Sequence, residues 1–128
     1  MDKIDLQTEL LGKTLVECYK EGCDELHLIT KTGTHYKLYH EQDCCENVTI
    51  EDICGDLFDL VGAPLIEVEI VTNSNSHPAD VNCDLDPYED SFTWTFYKLR
   101  TAKGSVTIRW YGTSSGYYSE RVDVMRVK

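Results

Sequence analysis

Over most of this chain apolar and polar residues alternate with a period of two, the pattern of half-buried strands. Lys13 to Tyr19 sets Leu15, Glu17 and Tyr19 against Thr14, Val16 and Cys18; Glu25 to Thr30 and Thr34 to His40 are two further runs. Glu21-Gly22-Cys23-Asp24 and Lys31-Thr32-Gly33 supply turns between them, so the three predict an antiparallel meander. Leu65 to Thr72 reads as a fourth strand, with Ile66, Val68 and Ile70 inward and Glu67 and Glu69 outward. Phe92 to Arg100, Ser105 to Tyr111 and Tyr117 to Val127 complete the set, joined by turns at residues 101–104 and 112–116. In the first two of these, Trp94, Phe96 and Trp110 are the expected bulk of the core. Thr95, Tyr97, Thr107, Arg109 and Tyr111 are the expected outer face.

Two segments break the alternation. Asp5 to Leu11 predicts a short helix capped by Asp5 and ended by Gly12. Thr49 followed by Asp52 has the form of a capping box, and Ile50, Ile53, Leu57, Leu60 and Val61 recur at helical spacing up to Gly62 and Pro64. This predicts the principal helix, at about 50–61, with Gly55 in its middle as a sign of close packing or distortion. The expected fold class is α+β: about seven mostly antiparallel strands with that helix packed on the sheet. At 128 residues the chain is expected to be a single compact domain, 1–128, with a long acidic loop at 73–90.

Charge changes the picture because it is regional. From Glu41 to Asp90 there are fourteen acidic residues and no Lys or Arg; the remainder holds nine acidic and twelve basic, so −14 and +3 give the net −11. Such a balance repels nucleic-acid phosphates and anionic membranes, and it attracts basic partners. No apolar run approaches the roughly 20 residues of a membrane span, and the N-terminal residues lack the pattern of a signal peptide. The expected location is therefore the cytoplasm, where the six cysteines are thiols or metal ligands rather than disulfides and the Asn47-Val48-Thr49 sequon is unused.

The segments YHEQDCCENVTIEDICGDLFDLVG and WTFYKLRTAKGSVTIRWYGTSSGYYSERV resemble a family of small proteins of unassigned function found in bacteriophages and other bacterial mobile elements. The resemblance runs from Leu10 to Val127. It implies a phage or prophage origin and hence a part in phage–host conflict in the host cytoplasm, but no activity, substrate or catalytic residue.

Several constellations carry candidate chemistry, each beside a plainer reading. His40, Cys44, Cys45 and Cys54 are soft donors for zinc, although adjacent cysteines lack knuckle spacing and half-buried thiols explain them as well. A nucleophilic cysteine with His40 or His35 and Asp43 is the enzyme reading; the acidic surroundings disfavour a thiolate. Asp80, Asp84, Asp86, Glu89 and Asp90 are oxygen donors for Ca²⁺ or Mg²⁺, without the register of an EF-hand, and read more simply as a solvated loop. Arg109, with Tyr97, Tyr111, Tyr117 and Tyr118 and nearby Lys98, Arg100 and Lys103, forms the one basic-aromatic concentration. It either stacks and pairs a nucleotide or is spent on acidic neighbours across strands.

No cofactor and no catalytic activity are expected. The leading expectation is an acidic inhibitor that occupies the basic, nucleic-acid-binding surface of a bacterial defence protein. Its contacts would be Glu41, Asp43, Glu46, Glu51, Asp52, Asp56, Asp59, Asp84, Asp86, Glu89 and Asp90. The alternatives are a sponge for a nucleotide-type immune signal, held by the Arg/Tyr face, and an accessory phage protein. An exposed aromatic sheet face would also suit a homo-oligomer.

Overall fold

A computed structural model describes residues 5–41, 46–74, 91–114 and 120–127. Short helix α1 (Leu6–Leu10) precedes β1 (Leu15–Glu21), β2 (Glu25–Thr30) and β3 (His35–Tyr39). Then come β4 (Asn47–Cys54), a 3-10 turn (Leu57–Leu60), β5 (Glu67–Ser74), β6 (Ser91–Thr101), β7 (Gly104–Ser114) and β8 (Asp123–Arg126). The expected acidic loop at 73–90 begins two residues inside β5, and its remainder, 75–90, lies outside the described residues.

The strands form two four-stranded antiparallel sheets, ordered β1-β2-β3-β8 and β4-β7-β6-β5. The expected meander is the first three strands of one sheet. The β6–β7 hairpin, paired from Ser91↔Ser114 to Thr101↔Gly104, is the centre of the other. One hydrophobic core is shared by both sheets: Leu15, Leu26, Leu28 and Leu38 enter from the first, and Val48, Ile50, Val68, Tyr97, Leu99, Ile108 and Trp110 from the second. Leu6 and Leu10 of α1 and Leu60 of the 3-10 turn close it. These apolar side chains leave water together, at roughly 25 cal/mol per Å² of apolar surface, and that burial holds a five-residue helix far too short to stand alone.

The principal helix expected at 50–61 is not formed. Residues 47–54 are an edge strand, in which Val48 and Ile50 alternate inward against Asn47 and Thr49. Ile50 pairs with Trp110 and Asp52 with Arg109, so Glu51 is the extra residue of a β-bulge. The bulge carries Ile53 back to the core, so Ile50 and Ile53 are three apart and on one side, as they would be on a helix. Leu57 and Leu60 extend the imitation from the 3-10 turn, whose second residue, Phe58, donates its N–H to the capping Asp56 Oδ1 at 3.0 Å. Gly55 ends β4 at φ +114, and a Cβ there would lie 2.6 Å from the Ser105 carbonyl oxygen.

Two smaller expectations also change. Val68 is buried as expected, but Ile66, just before β5, is 52% exposed and Ile70, on this edge strand, 38%. Among the described residues no helix is long and apolar enough to cross a membrane.

Candidate functional site

The pairing of β6 with β7 decides what the outer face of the second sheet offers. Trp94 lies opposite Tyr111, Phe96 opposite Arg109 and Lys98 opposite Thr107, so the large aromatics of β6 share a face with the polar set of β7. Tyr97 lies opposite Ile108 and faces the core, where it is buried. Trp94 and Phe96 therefore leave the shared core, and Tyr97 leaves the expected Arg/Tyr face. Burial, and after it the charge of Asp123, pushes the Tyr97 phenol above its ordinary value, so it stays neutral.

On that outer face Trp94 is completely buried in an aromatic cluster of its own. Its ring centroid is 4.4 Å from Tyr111 and 6.5 Å from Phe96, and the Arg109 guanidinium sits 5.5 Å above it. Arg109 Nε donates to Glu51 Oε2 at 2.5 Å, and its Nη2 is 3.6 Å from Asp52 Oδ2. The bulge is what brings two successive carboxylates to one guanidinium.

Beside this cluster the face is concave. A groove of about 390 Å³ is lined by Asp52, Cys54, Val71, Asn73, Phe96, Lys98, Thr107 and Arg109, from all four strands. Its size falls within the range of small-molecule sites. Phe96 and Val71 supply apolar wall; Asn73 and Thr107 supply neutral donors and acceptors. Arg109 is balanced by its two carboxylates, whereas Lys98 makes no ion pair among the described residues. Locally the two cations, Arg109 and Lys98, offset Glu51 and Asp52, and Glu69 lies directly opposite Lys98 in the β5–β6 pairing. The groove is thus far less acidic than a protein of net charge −11 as a whole, but it holds no surplus of positive charge.

The acidic residues expected to form one partner-binding surface separate into different roles. Glu46 is buried and bound to His40, with Oε2 3.0 Å from Nε2 and both side chains at most 3% exposed. His40 Nδ1 faces the Arg121 carbonyl at 2.8 Å, which can only accept, so Nδ1 is the donor of that contact. Glu51 and Asp52 are spent on Arg109. Asp59 is half-buried on the 3-10 turn, where Lys103 Nζ donates to the Phe58 and Val61 carbonyls at 3.3 and 2.8 Å. Glu41 and Asp56 are exposed and form no ion pair among the described residues. Asp43, Asp84, Asp86, Glu89 and Asp90 lie outside the described residues, as do Cys44, Cys45, Tyr117 and Tyr118.

Of the expected zinc ligands, His40 is closed off by Glu46 and Arg121, while Cys54 lines the groove on another face. His35, the other histidine of the nucleophile reading, has its Nε2 2.7 Å from His27 Nδ1, while Cys44, Cys45 and Asp43 of that reading lie outside the described residues. Arg121 pairs with Asp123 two residues on, Nε to Oδ1 at 2.9 Å. Phe96, Lys98, Asn73, Thr107 and Asp52 were not foreseen as one set. Strand pairing would have revealed them, but nothing in either strand alone sets its register.

Fold and groove together define a small two-sheet β protein with a ligand-sized depression on one outer sheet face. Residues 8–124 match the family described as a domain of unknown function, DUF7448, and the chain belongs to that family. No curated protein and no solved structure matches it.

Proposed function

We propose that this is a non-catalytic binding protein whose groove takes a small nucleotide-type ligand, a planar ring joined to an anionic group. The carrying observation is the placing of an aromatic wall, Phe96, beside the ammonium of Lys98 in one concavity. That ammonium makes no ion pair among the described residues, although Glu69 lies opposite it on β5. A base stacks on Phe96, its edge meets Asn73 and Thr107, and a phosphate meets Lys98. Arg109, already balanced by Glu51 and Asp52, orients the wall more than it neutralises the ligand. In its biological form the proposal is a sponge that sequesters a nucleotide-type immune signal in a phage-infected bacterium, with the phage setting supplied by the sequence resemblance alone.

Thermal unfolding against a panel of cyclic and ADP-ribose-type nucleotides tests it. A ligand at a hundred times its Kd adds about 2.7 kcal/mol of stability, a shift of several degrees. Lys98→Ala should weaken binding about tenfold or more while leaving the ligand-free melting temperature nearly unchanged. Phe96→Ala should weaken it as much at some cost in stability, because Phe96 also packs on Trp94. No shift with any nucleotide removes the proposal.

The acidic window favours a second reading, in which the chain inhibits a bacterial defence protein by covering its basic surface. Its support is the run of fourteen acidic residues without a Lys or Arg from Glu41 to Asp90. The cations that reach Glu51, Asp52 and the turn carrying Asp59 from outside that run reduce this support. A complex held by opposite charges weakens steeply as salt rises, and one indifferent to salt speaks against it.

A further inference from the structure

The outer face of the first sheet carries a second constellation, independent of the groove. His27 is directly opposite Tyr19 in the β1–β2 pairing and Glu21 opposite Glu25, so the hairpin turn brings both carboxylates over the imidazole. Glu21 Oε2 and Glu25 Oε1 each lie 3.0 Å from the same nitrogen, His27 Nε2. One N–H cannot serve two carboxylates well, and the three atoms all lie within 4.8 Å of one another. Ligand atoms around a tetrahedral ion at about 2.0–2.1 Å are separated by about 3.3 Å, close to the two 3.0 Å spacings here. Rotation of the exposed Glu21 side chain can bring the two carboxylate oxygens to that separation.

The imidazole is also held as a ligating imidazole is held. Tyr19 stacks on it with centroids 4.8 Å apart and planes 9° from parallel. Its other nitrogen, Nδ1, is 2.7 Å from His35 Nε2, in the position of the outer partner that fixes tautomer and orientation at metal sites. The His27 side chain is 8% exposed and that of Glu21 67%, which leaves one side open to an entering ion and to water as a fourth ligand. Lys37 Nζ, 3.9 Å from Glu25 Oε2, bears on the oxygen of that carboxylate not used here. Among the described residues this is the one set of His, Cys and carboxylate donors that converges in this way.

We propose that Glu21, Glu25 and His27 bind a divalent transition-metal ion of zinc type, with His35 orienting the ligating imidazole. The ion binds Nε2 of the neutral ring, whose one hydrogen then sits on Nδ1 and is donated to His35 Nε2. A ring that carries hydrogens on both nitrogens beforehand releases the one on Nε2 to solvent. Two carboxylates and a neutral imidazole leave the filled site without net charge.

The test is titration of the chelator-treated full chain with Zn²⁺, followed by calorimetry, and with Co²⁺, followed by its visible absorption. The expected result is one equivalent bound, with the visible bands of a four- or five-coordinate ion on nitrogen and oxygen donors. Glu21→Gln, at an exposed side chain, should weaken binding tenfold or more with an unchanged far-ultraviolet circular dichroism spectrum. His35→Gln should weaken it about 10–100-fold. No stoichiometric binding, unchanged affinity in Glu21→Gln, or the near-ultraviolet charge-transfer band of a cobalt–thiolate bond would each overturn the assignment.

Discussion

Cys18 packs against the shared core from β1, and burial pushes its thiol from the ordinary 9.0 up to about 12. Desolvation opposes the thiolate in the folded chain alone, so the sign of the pH effect follows. Below pH 9 both states keep the proton and the full contribution to stability is present. Between pH 9 and about 12 the unfolded chain sheds a proton that the fold retains, so stability falls by about 1.4 kcal/mol per pH unit. Tyr97, raised for the same first reason, adds to the fall above its ordinary 10.0. Urea unfolding at pH 8 to 11 measures this limb. Cys18→Ala should be less stable at pH 8 but flatter from pH 9 to 10, and an equally steep limb in the variant would contradict the assignment. The sequence placed Cys18 on a strand, but its burial depends on a core assembled from both sheets.

The elements show where sequence patterning serves and where it misleads. The first three strands and the β6–β7 hairpin were legible because alternation and turn chemistry act locally and point the same way. The stripe Ile50, Ile53, Leu57, Leu60 was misleading because a β-bulge at Glu51 and a 3-10 turn generate a spacing that a helix also generates. Gly55 was the residue that distinguished the two. A glycine at φ +114 with a backbone carbonyl 2.6 Å from its missing Cβ belongs to a strand end pressed against a neighbour, not to a helix interior. Gly55→Ala should therefore destabilise the fold by at least about 2 kcal/mol, far more than a mid-helix substitution, which would stabilise by up to about 1 kcal/mol. Chemical denaturation of that variant separates the two cases by sign.

At the scale of the whole molecule, the charge asymmetry read from the chain survives only in part. Arg109, coming from a strand beyond the acidic window, meets Glu51 and Asp52, and Arg100 meets Glu67 with Nη2 to Oε2 at 3.0 Å. Glu46 is inside the protein rather than on it. The candidate site was half legible: Arg109 and Tyr111 were singled out for their chemistry, while Tyr97 was assigned to the wrong side. Phe96 and Lys98 became part of it only through inter-strand register, a long-range property with no signature in either strand. The Glu21–Glu25–His27 cluster was hidden for a related reason, since its members converge only once the first hairpin is paired and His35 is brought alongside by the second.

The most direct test of the groove is a nuclear magnetic resonance titration of the isotope-labelled chain with the nucleotide that gives the largest thermal shift. Saturable shifts concentrated at Phe96, Lys98, Thr107 and Arg109, and lost in Lys98→Ala, are the expected result. Saturable shifts concentrated instead on the sheet of β1, β2, β3 and β8, or no saturable shift at all, would contradict it.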